Sequence, residues 1–399
     1  MEAEGNGQAI SQLNGSRVLR TIWLYERISR VEIARKLGLN KSTITKIVHD
    51  LLESGIVKVV AEGDSSPQGG RKPKYLTVDS EFGCILGIEI QTDFWYAVAV
   101  DLSGEILHSE RSQISLRDRS VVDLFLEVVD LMRRRMAEEG RRVIGAGLGV
   151  SGIVNLREGI IYQSNPLTIT EPVDVYEEAA KRLDIPIMVE NDANCGCWGE
   201  LASRYSGRPN NFVFVLGEFR LPNARDFDFK SIAVGLGLVL GGKVHHGRDH
   251  SAGEFKSVLW EYGNTTQFSV TDDEFHMVRT DPELHERMFR ELAAHVAFLV
   301  NTLNLGHVVL GGTFDFPEEY VRRVLKEEVQ RNWSYRNEVD CEIRISPLGE
   351  KVIAYGAAGL FLEHLFALPN VTDEVGGRLL GTGLLESITN TLAAAESDR

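Results

Sequence analysis

The chain contains 399 residues, of which 43% are hydrophobic and 25% charged, and its formal net charge is −15. This length and composition are sufficient for two or three packed domains, which excludes a disordered protein. The sequence opens with no signal-like segment, and no apolar run is long enough to span a bilayer, so we expect a cytoplasmic protein without a membrane partner. The four cysteines are too few for a disulfide framework, which agrees with a reducing compartment.

The first 80 residues contain a pattern typical of a helix-turn-helix. Residues 11–26 predict a first helix, and two shorter segments with apolar residues at helical spacing follow, separated by Gly38. Asn40 is a candidate N-cap of the last helix, the position from which a recognition helix directs its first turn at base edges and phosphates. The side chains that we expect to contact DNA from this helix are Lys41, Ser42, Thr43, Thr45 and Lys46.

A wing follows the predicted helix-turn-helix. Residues 56–60 and 75–78 predict two strands, and Arg71 and Lys72 lie between glycines and a proline in the connecting loop. Such a narrow cationic tip can enter a minor groove, although a solvated linker is an alternative. Residues 1–80 hold 12 basic and 9 acidic residues, a net charge of +3, which leaves −18 for the remainder. The charge distribution therefore favours DNA binding by the N-terminal domain alone.

Strands and helices alternate from residue 81 onwards. The first cycle comprises strands over 84–90, 95–101 and 105–109, a helix over 121–138 and a strand over 143–150. The second comprises strands over 211–216, 231–240 and 243–245, a helix over 282–304, a strand over 307–310, a helix over 317–331, a strand over 341–346 and a helix over 350–368. Two copies of a three-strand-then-helix unit predict an α/β domain of two lobes with a cleft between them. We expect the first lobe over 81–190, completed by a C-terminal helix at about 376–399, and the second over 191–375.

Seven motifs occur in one order along nearly the whole chain. They are GRKP at 70–73, GLGVSGIV at 147–154, SNPL at 164–167, VENDANCGCWGE at 189–200, GLGLVLGGKVHHG at 235–247, AGEF at 252–255 and VVLGG at 308–312. In this order they resemble the ROK family of sugar kinases and repressors, and the winged helix resembles its sugar-responsive repressor branch. The resemblance implies an actin-like, ribonuclease H-like sensor domain of two lobes, and a homodimer or a higher homo-oligomer.

A sugar presents a ring of hydroxyl groups, which carboxylates and amides at strand ends bind with paired hydrogen bonds. Asn191 and Asp192 follow a predicted strand, and Asn165 follows another, where α/β clefts bind ligands. In similar ROK proteins these positions, with those of Gly152 and Glu254, contact the sugar, and the residue matching Asp192 is the base of the kinases. A helix N-cap is an alternative role for Asp192.

The segments that would bind ATP differ from those of the ROK kinases. Phosphoryl transfer needs a glycine-rich turn whose N–H groups hold phosphate, and groups that hold Mg²⁺. The family's D-x-G-x-T and G-T-G-x-G patterns are replaced by Glu89–Asp93 and Ala233–Gly237, which lack the glycine of the first and the threonine of the second. The family's zinc-binding run is also missing, since AGEF continues as Lys256-Ser257. We therefore expect no catalytic residue, no cofactor and no metal.

Two stretches differ from the family and are candidates for lining the pocket. They are residues 218–230 and residues 260–275, and the second contains Trp260 and Tyr262, which could stack on a sugar ring or pack in the core. Together these patterns predict a transcriptional regulator, a repressor that a sugar releases from an inverted-repeat operator. A sugar kinase carrying a DNA-binding domain is the first alternative, and a regulator whose sensor binds another protein is the second.

Overall fold

A computed structural model gives the structure of the protein. It describes residues 2–62, 73–116, 119–203, 209–219, 232–275, 277–278, 280–313 and 316–367. The wing tip with Arg71 and Lys72, the helix expected at about 376–399, and residues 220–231 lie outside this part. Within the described residues, no helix is both long and apolar enough to cross a membrane.

The N-terminal domain is a helix-turn-helix followed by a β-hairpin. Its elements are α1 (Glu2–Tyr25), β1 (Ile28–Ser29), α2 (Arg30–Leu37), α3 (Lys41–Glu53), β2 (Val57–Glu62) and β3 (Lys74–Val78). Ser29 and Glu32 form a capping box at the start of α2, and Asn40 caps α3 by accepting a 2.8 Å hydrogen bond from the backbone N–H of Thr43. β1, β3 and β2 pair in an antiparallel sheet, which confirms the predicted winged fold.

The sensor domain is built on two five-stranded sheets of identical topology. The first has the order β11-β7-β4-β5-β6, with β4 (Cys84–Ile90), β5 (Phe94–Asp101), β6 (Ile106–Gln113), β7 (Val143–Val150) and β11 (Ile187–Asn191). The second has the order β14-β13-β12-β15-β16, with β12 (Phe212–Phe219), β13 (Ile232–Leu240), β14 (Lys243–Val244), β15 (His307–Thr313) and β16 (Glu342–Ile345). In each sheet three antiparallel strands are followed by two parallel ones, so the predicted repeat is confirmed.

Helices cover the outer faces of the two sheets. The first sheet packs against α4 (Val121–Glu138) and α5 (Val175–Ala180), and the second against α8 (Pro282–Leu303) and α9 (Glu318–Arg331). A small sheet of β8 (Ile153–Asn155), β9 (Ile160–Gln163) and β10 (Val173–Asp174) follows β7, and a single turn of helix, α7 (Asp272–Phe275), precedes α8. The outer face of each large sheet is therefore covered by helices.

Two further helices, α6 (Asp192–Ala202) and α10 (Val352–Leu365), lie between the sheets. A side chain added at Gly87 of β4 would lie 1.9 Å from the carbonyl oxygen of Ala354, and one added at Gly356 would lie 1.7 Å from that of Cys195. α10 thus packs tightly on the first sheet and on α6. A helix that is apolar on every side gives no indication in the sequence of which sheet it joins, so the boundary between the lobes stays a prediction.

The N-terminal domain packs directly on the first lobe. Trp23 of α1 stacks on Phe366, just after α10, with ring centroids 4.6 Å apart, and its indole N–H donates to the carbonyl of Leu102 at 3.1 Å. Arg20 forms an ion pair with Glu363 at 3.3 Å. Buried apolar side chains of both domains belong to one cluster, so the two domains share part of their core.

Candidate functional site

The N-terminal half of α3 presents the residues that the sequence predicted to contact DNA. Lys41, Ser42, Thr45 and Lys46 are exposed and Thr43 is half-buried. The hydroxyls of Ser42 and Thr43 each donate to the side-chain oxygen of Asn40 at 2.8 Å, and that of Thr45 donates to the carbonyl of Lys41 at 2.7 Å. The hydroxyls therefore also stabilise the start of the helix, while the side chains of Lys41 and Lys46 are exposed to solvent. A DNA contact by any of the five residues remains a prediction.

A cavity of about 350 Å³ lies between the two lobes of the sensor domain. Its wall contains all five residues that were expected to bind sugar, namely Gly152, Asn165, Asn191, Asp192 and Glu254. They come from four separate segments of the chain, which the carboxyl ends of β7, β9 and β11 and the loop after β14 bring together. Their contact with a sugar remains a prediction, since the cavity alone does not identify its ligand.

Asn191 and Asp192 have different local roles at the start of α6. Asn191 is the N-cap, because its side-chain oxygen accepts from the backbone N–H of Asn194 at 3.1 Å. Its amide group donates to the carbonyl of Gly152 at 2.9 Å, which joins the ends of β7 and β11. Asp192 is 8% exposed, and one carboxylate oxygen accepts from the N–H of Ala193 at 2.8 Å. The capping role considered for Asp192 therefore belongs to Asn191.

Glu254 approaches the cavity from the second lobe. It pairs with Gly235 of β13 in an isolated β-bridge, and Gly235 lies beside Asp192, whose carboxylate oxygen is 4.0 Å from the position of an added Cβ. Glu254 is an exposed residue, yet the burial of part of its surface raises the pKa of its carboxyl group. The two carboxylates thus belong to the wall of the same cavity.

Several cavity residues were not predicted individually from the sequence. They are Ser151, Gln163, Ser164, His250, Thr265, Thr266 and Gln267. Gln267 holds the edge of β13, since its amide group donates to the carbonyls of Val234 and Phe255 at 2.8 Å and its oxygen accepts from the N–H of Val234 at 2.7 Å. For Thr265, Thr266 and Gln267 the signal was the divergent stretch 260–275, which does reach the cavity, whereas Ser151 and Ser164 lie in the motifs at 147–154 and 164–167.

The aromatic side chains of that stretch are placed elsewhere. Tyr262 is 99% exposed, and the ring of Trp260 lies 3.7 Å from the ammonium group of Lys256. Neither side chain is part of the cavity wall. The expectation that Trp260 or Tyr262 could stack on a sugar ring is therefore not supported, because Tyr262 faces solvent, Trp260 packs half-buried against Lys256, and the loop presents Thr265, Thr266 and Gln267 to the cavity.

The segments that replace the phosphate loops have side chains or paired backbone where a phosphate would need open N–H groups. Gln91 is fully buried, and its amide group donates to the carboxylate of Glu89 at 3.0 Å. Its backbone N–H donates to the carbonyl of Phe94 at 2.9 Å. Residues 233–237 lie inside β13, where they pair along their whole length with β12. Neither segment forms an open glycine-rich turn.

Comparisons with known proteins agree with this architecture. Residues 85–259 match the model of the ROK family and residues 14–62 match that of the MarR family. The chain carries a ROK domain behind a MarR-type DNA-binding domain. A xylose repressor from Caldicellulosiruptor bescii is 21% identical over 411 residues, which cover 92% of this chain and 99% of that protein. The resemblance predicted from the motifs is confirmed.

Two solved structures share the fold of this protein. The crystal structure of a ROK family transcriptional regulator, a homologue of the E. coli Mlc protein, gives a TM-score of 0.71 at 18% identity and covers 96% of this chain and 100% of that one. A ROK family glucokinase from Streptomyces griseus, solved with glucose and AMPPNP, gives 0.53 at 20% identity and covers 70% of this chain and 99% of that one. The predicted combination of a winged helix with a two-lobed, actin-like sensor is confirmed.

Proposed function

We propose that this ROK protein is a sugar-responsive transcriptional repressor without kinase activity. One observation carries the proposal: a single inter-lobe cavity gathers carboxylate, amide and hydroxyl groups, on a chain whose DNA-binding domain packs on the same sensor lobe. Hydroxyl-rich ligands suit such a wall, because carboxylates accept and amides both donate and accept hydrogen bonds. Operator DNA and a sugar are then the two partners.

The cavity favours an unphosphorylated sugar. Two carboxylates, Asp192 and Glu254, belong to its wall, and no lysine or arginine is among the described residues that line it. A phosphate or sugar acid there would face like charges without a cationic partner, whereas neutral hydroxyls can donate to both carboxylates. Because one relative is a xylose repressor, xylose is the first candidate.

The packing offers a route between the cavity and the DNA-binding domain. α6 begins at Asp192 in the cavity wall and crosses α10, whose end leads to Phe366 and the stack with Trp23. A sugar that changes the closure of the lobes would therefore shift α10 and, through it, α1. A ligand changes DNA affinity only if it binds the two arrangements unequally, and lobe closure provides such a difference.

The operator follows from the same proposal. A homodimer would place two recognition helices on an inverted repeat whose half-sites are separated by whole helical turns. Lys41 and Lys46 would contact phosphates and base edges, with Arg71 and Lys72 of the wing in the minor groove. The protein would act in the cytoplasm, where its operator is accessible.

A sugar kinase with a DNA-binding domain is the alternative, and the position of Asp192 favours it. That carboxylate lies in the cavity wall, where it could accept a proton from a sugar hydroxyl. The buried Gln91 side chain and the paired backbone of residues 233–237 oppose it, since nothing there offers phosphate an N–H cradle.

Selection of bound fragments from a random DNA pool, followed by gel-shift titration with and without neutral sugars, tests the proposal. We expect an inverted repeat to be selected and one neutral sugar, with xylose tried first, to weaken its binding. A protein that selects no sequence, or whose operator affinity no sugar changes, contradicts the proposal. Sugar-dependent production of ADP would favour the kinase alternative.

A further inference from the structure

Glu190 is a carboxylate with no exposure to solvent, and it is the penultimate residue of β11, immediately before the cavity residues Asn191 and Asp192. One of its oxygens accepts from the backbone N–H of Asn191 at 2.9 Å and from the side-chain amide of Asn194 at 3.2 Å. The other accepts from the indole N–H of Trp198 at 3.1 Å. All three donors belong to the β11 end and α6.

The fourth contact of Glu190 comes from the second lobe. The Nε2 atom of His246 lies 2.7 Å from the second carboxylate oxygen, which places an ion pair across the cleft. His246 belongs to the loop after β14, and its carbonyl accepts from the N–H of Ala252 at 3.2 Å. The same loop contains His250 and Glu254 of the cavity wall. Movement of His246 would therefore move the second-lobe half of the cavity.

We propose that Glu190 and His246 form a tether between the two lobes, which fixes the relative position of the two halves of the sugar site and makes sugar affinity depend on pH. The inference rests on the proposed function, since it concerns the same cavity. Both residues act as positioning residues, because neither is part of the cavity wall. A buried carboxylate that loses its cationic partner is strongly unfavourable, so the pair resists any arrangement that separates the lobes there.

The electrostatics of the pair support this role. Burial alone would lower the pKa of His246, but the charge of Glu190 and the hydrogen bond to it raise that pKa above its ordinary value. Burial alone would raise the pKa of Glu190, whereas the charge of His246 and the hydrogen bonds keep it lowered. The other titratable groups around the pair include Arg157, Glu158, His250 and His364, together with Tyr176, Cys195 and Cys197, which interact with the charge of Glu190.

Those neighbours do not replace His246. The positive charge of Arg157 acts to lower the pKa of His246. The pKa of His250 is lowered mainly by burial and also by the charge of His246. Burial also lowers the pKa of His364, which lies in α10. His246 is therefore the group that becomes protonated most readily among these three histidines. The ion pair is fully charged below pH 6.5, the ordinary pKa of histidine, and it is lost as the pH rises through the raised pKa of His246.

Calorimetric titration with xylose, or the sugar that the screen identifies, tests the tether over a range of pH. For the unmodified chain we expect affinity to fall as the pH rises through the pKa of His246. His246→Gln keeps a donor but cannot be protonated, so it should bind sugar roughly 10- to 150-fold more weakly, the range for a hydrogen bond to a charged group, with a flattened pH profile. The exposed neighbour supplies the matched control, His245→Gln, which should behave as the unmodified chain.

His246→Lys provides a rescue and guards against a folding defect. Its ammonium group remains charged well above the pKa of histidine, so affinity should be retained while the pH dependence disappears. Retained operator binding without sugar shows that each variant is folded. Unchanged sugar affinity and pH profile in His246→Gln would overturn the tether alone, whereas a chain that binds no sugar of the screen would overturn the proposed function and the tether with it.

Discussion

Replacement of Trp23 by phenylalanine tests whether the sensor controls the DNA-binding domain through their shared core. A phenylalanine can keep the stack on Phe366, which has ring centroids 4.6 Å apart, but it cannot donate to the carbonyl of Leu102. That 3.1 Å hydrogen bond is buried, and an unpaired buried carbonyl costs about 1 to 3 kcal/mol. Trp23→Phe should therefore weaken the docking of the two domains without removing any residue of α3 or of the cavity.

The expected result is a loss of coupling. A sugar can change operator affinity only through contacts that differ between the two arrangements. Weaker docking should therefore reduce the ratio of operator affinities without and with sugar by up to about 5- to 150-fold, which corresponds to about 1 to 3 kcal/mol. Fluorescence anisotropy of labelled operator, measured with and without saturating sugar, gives this ratio directly. Sugar affinity, measured by calorimetry in the absence of DNA, should stay the same.

Trp333→Phe is the matched control. Trp333 also donates its indole N–H, to the side-chain oxygen of Asn337 at 3.4 Å, but it lies at the surface of the second lobe. The same substitution there should leave the sugar effect intact. If Trp23→Phe retains the full ratio of operator affinities with and without sugar, the contact between α1 and Phe366 does not transmit the signal, and the route through α10 is refuted.

Three further outcomes are expected. Asp192→Asn should weaken sugar binding about 10- to 150-fold in calorimetry, the value of a hydrogen bond to a charged group, and leave operator affinity unchanged; loss of DNA binding would contradict it. A coupled assay with ATP, Mg²⁺ and the bound sugar should show no turnover, and ADP production abolished in Asp192→Asn would reverse that conclusion. Arg71→Ala should cost about 1 to 3 kcal/mol of operator affinity in gel shifts, and an unchanged affinity would exclude the wing as a contact.

Much of the fold follows from the sequence because its patterns are local. The strands and helices of both lobes were predicted from periodicity, and the bounds of α4 and β7 agree at both ends. Asn165, Asn191 and Asp192 could be predicted as site residues because each follows a strand, where α/β clefts bind ligands. Gly152 and Glu254 needed the family resemblance, because nothing in their own spacing indicates a cleft.

The remaining features depend on contacts between distant parts of the chain. Glu190 and His246 are 56 residues apart, and the sequence of His245, His246 and His250 does not indicate which histidine turns towards the first lobe. The stack of Trp23 on Phe366 joins the two ends of the described chain. In the sequence such apolar side chains cannot be distinguished from ordinary core residues, since periodicity identifies a buried face but not the surface that covers it.

The shared core of the two domains limits how this protein can be divided or recombined. The short connection between β3 and β4 looks like a convenient fusion point for joining the DNA-binding domain to another sensor. A cut there would separate Trp23 from Phe366 and Leu102 and would uncover apolar side chains of α1. Exposed patches of that kind promote aggregation. A working biosensor chimera would therefore have to retain the end of α10 and the turn after β5 along with the first 80 residues.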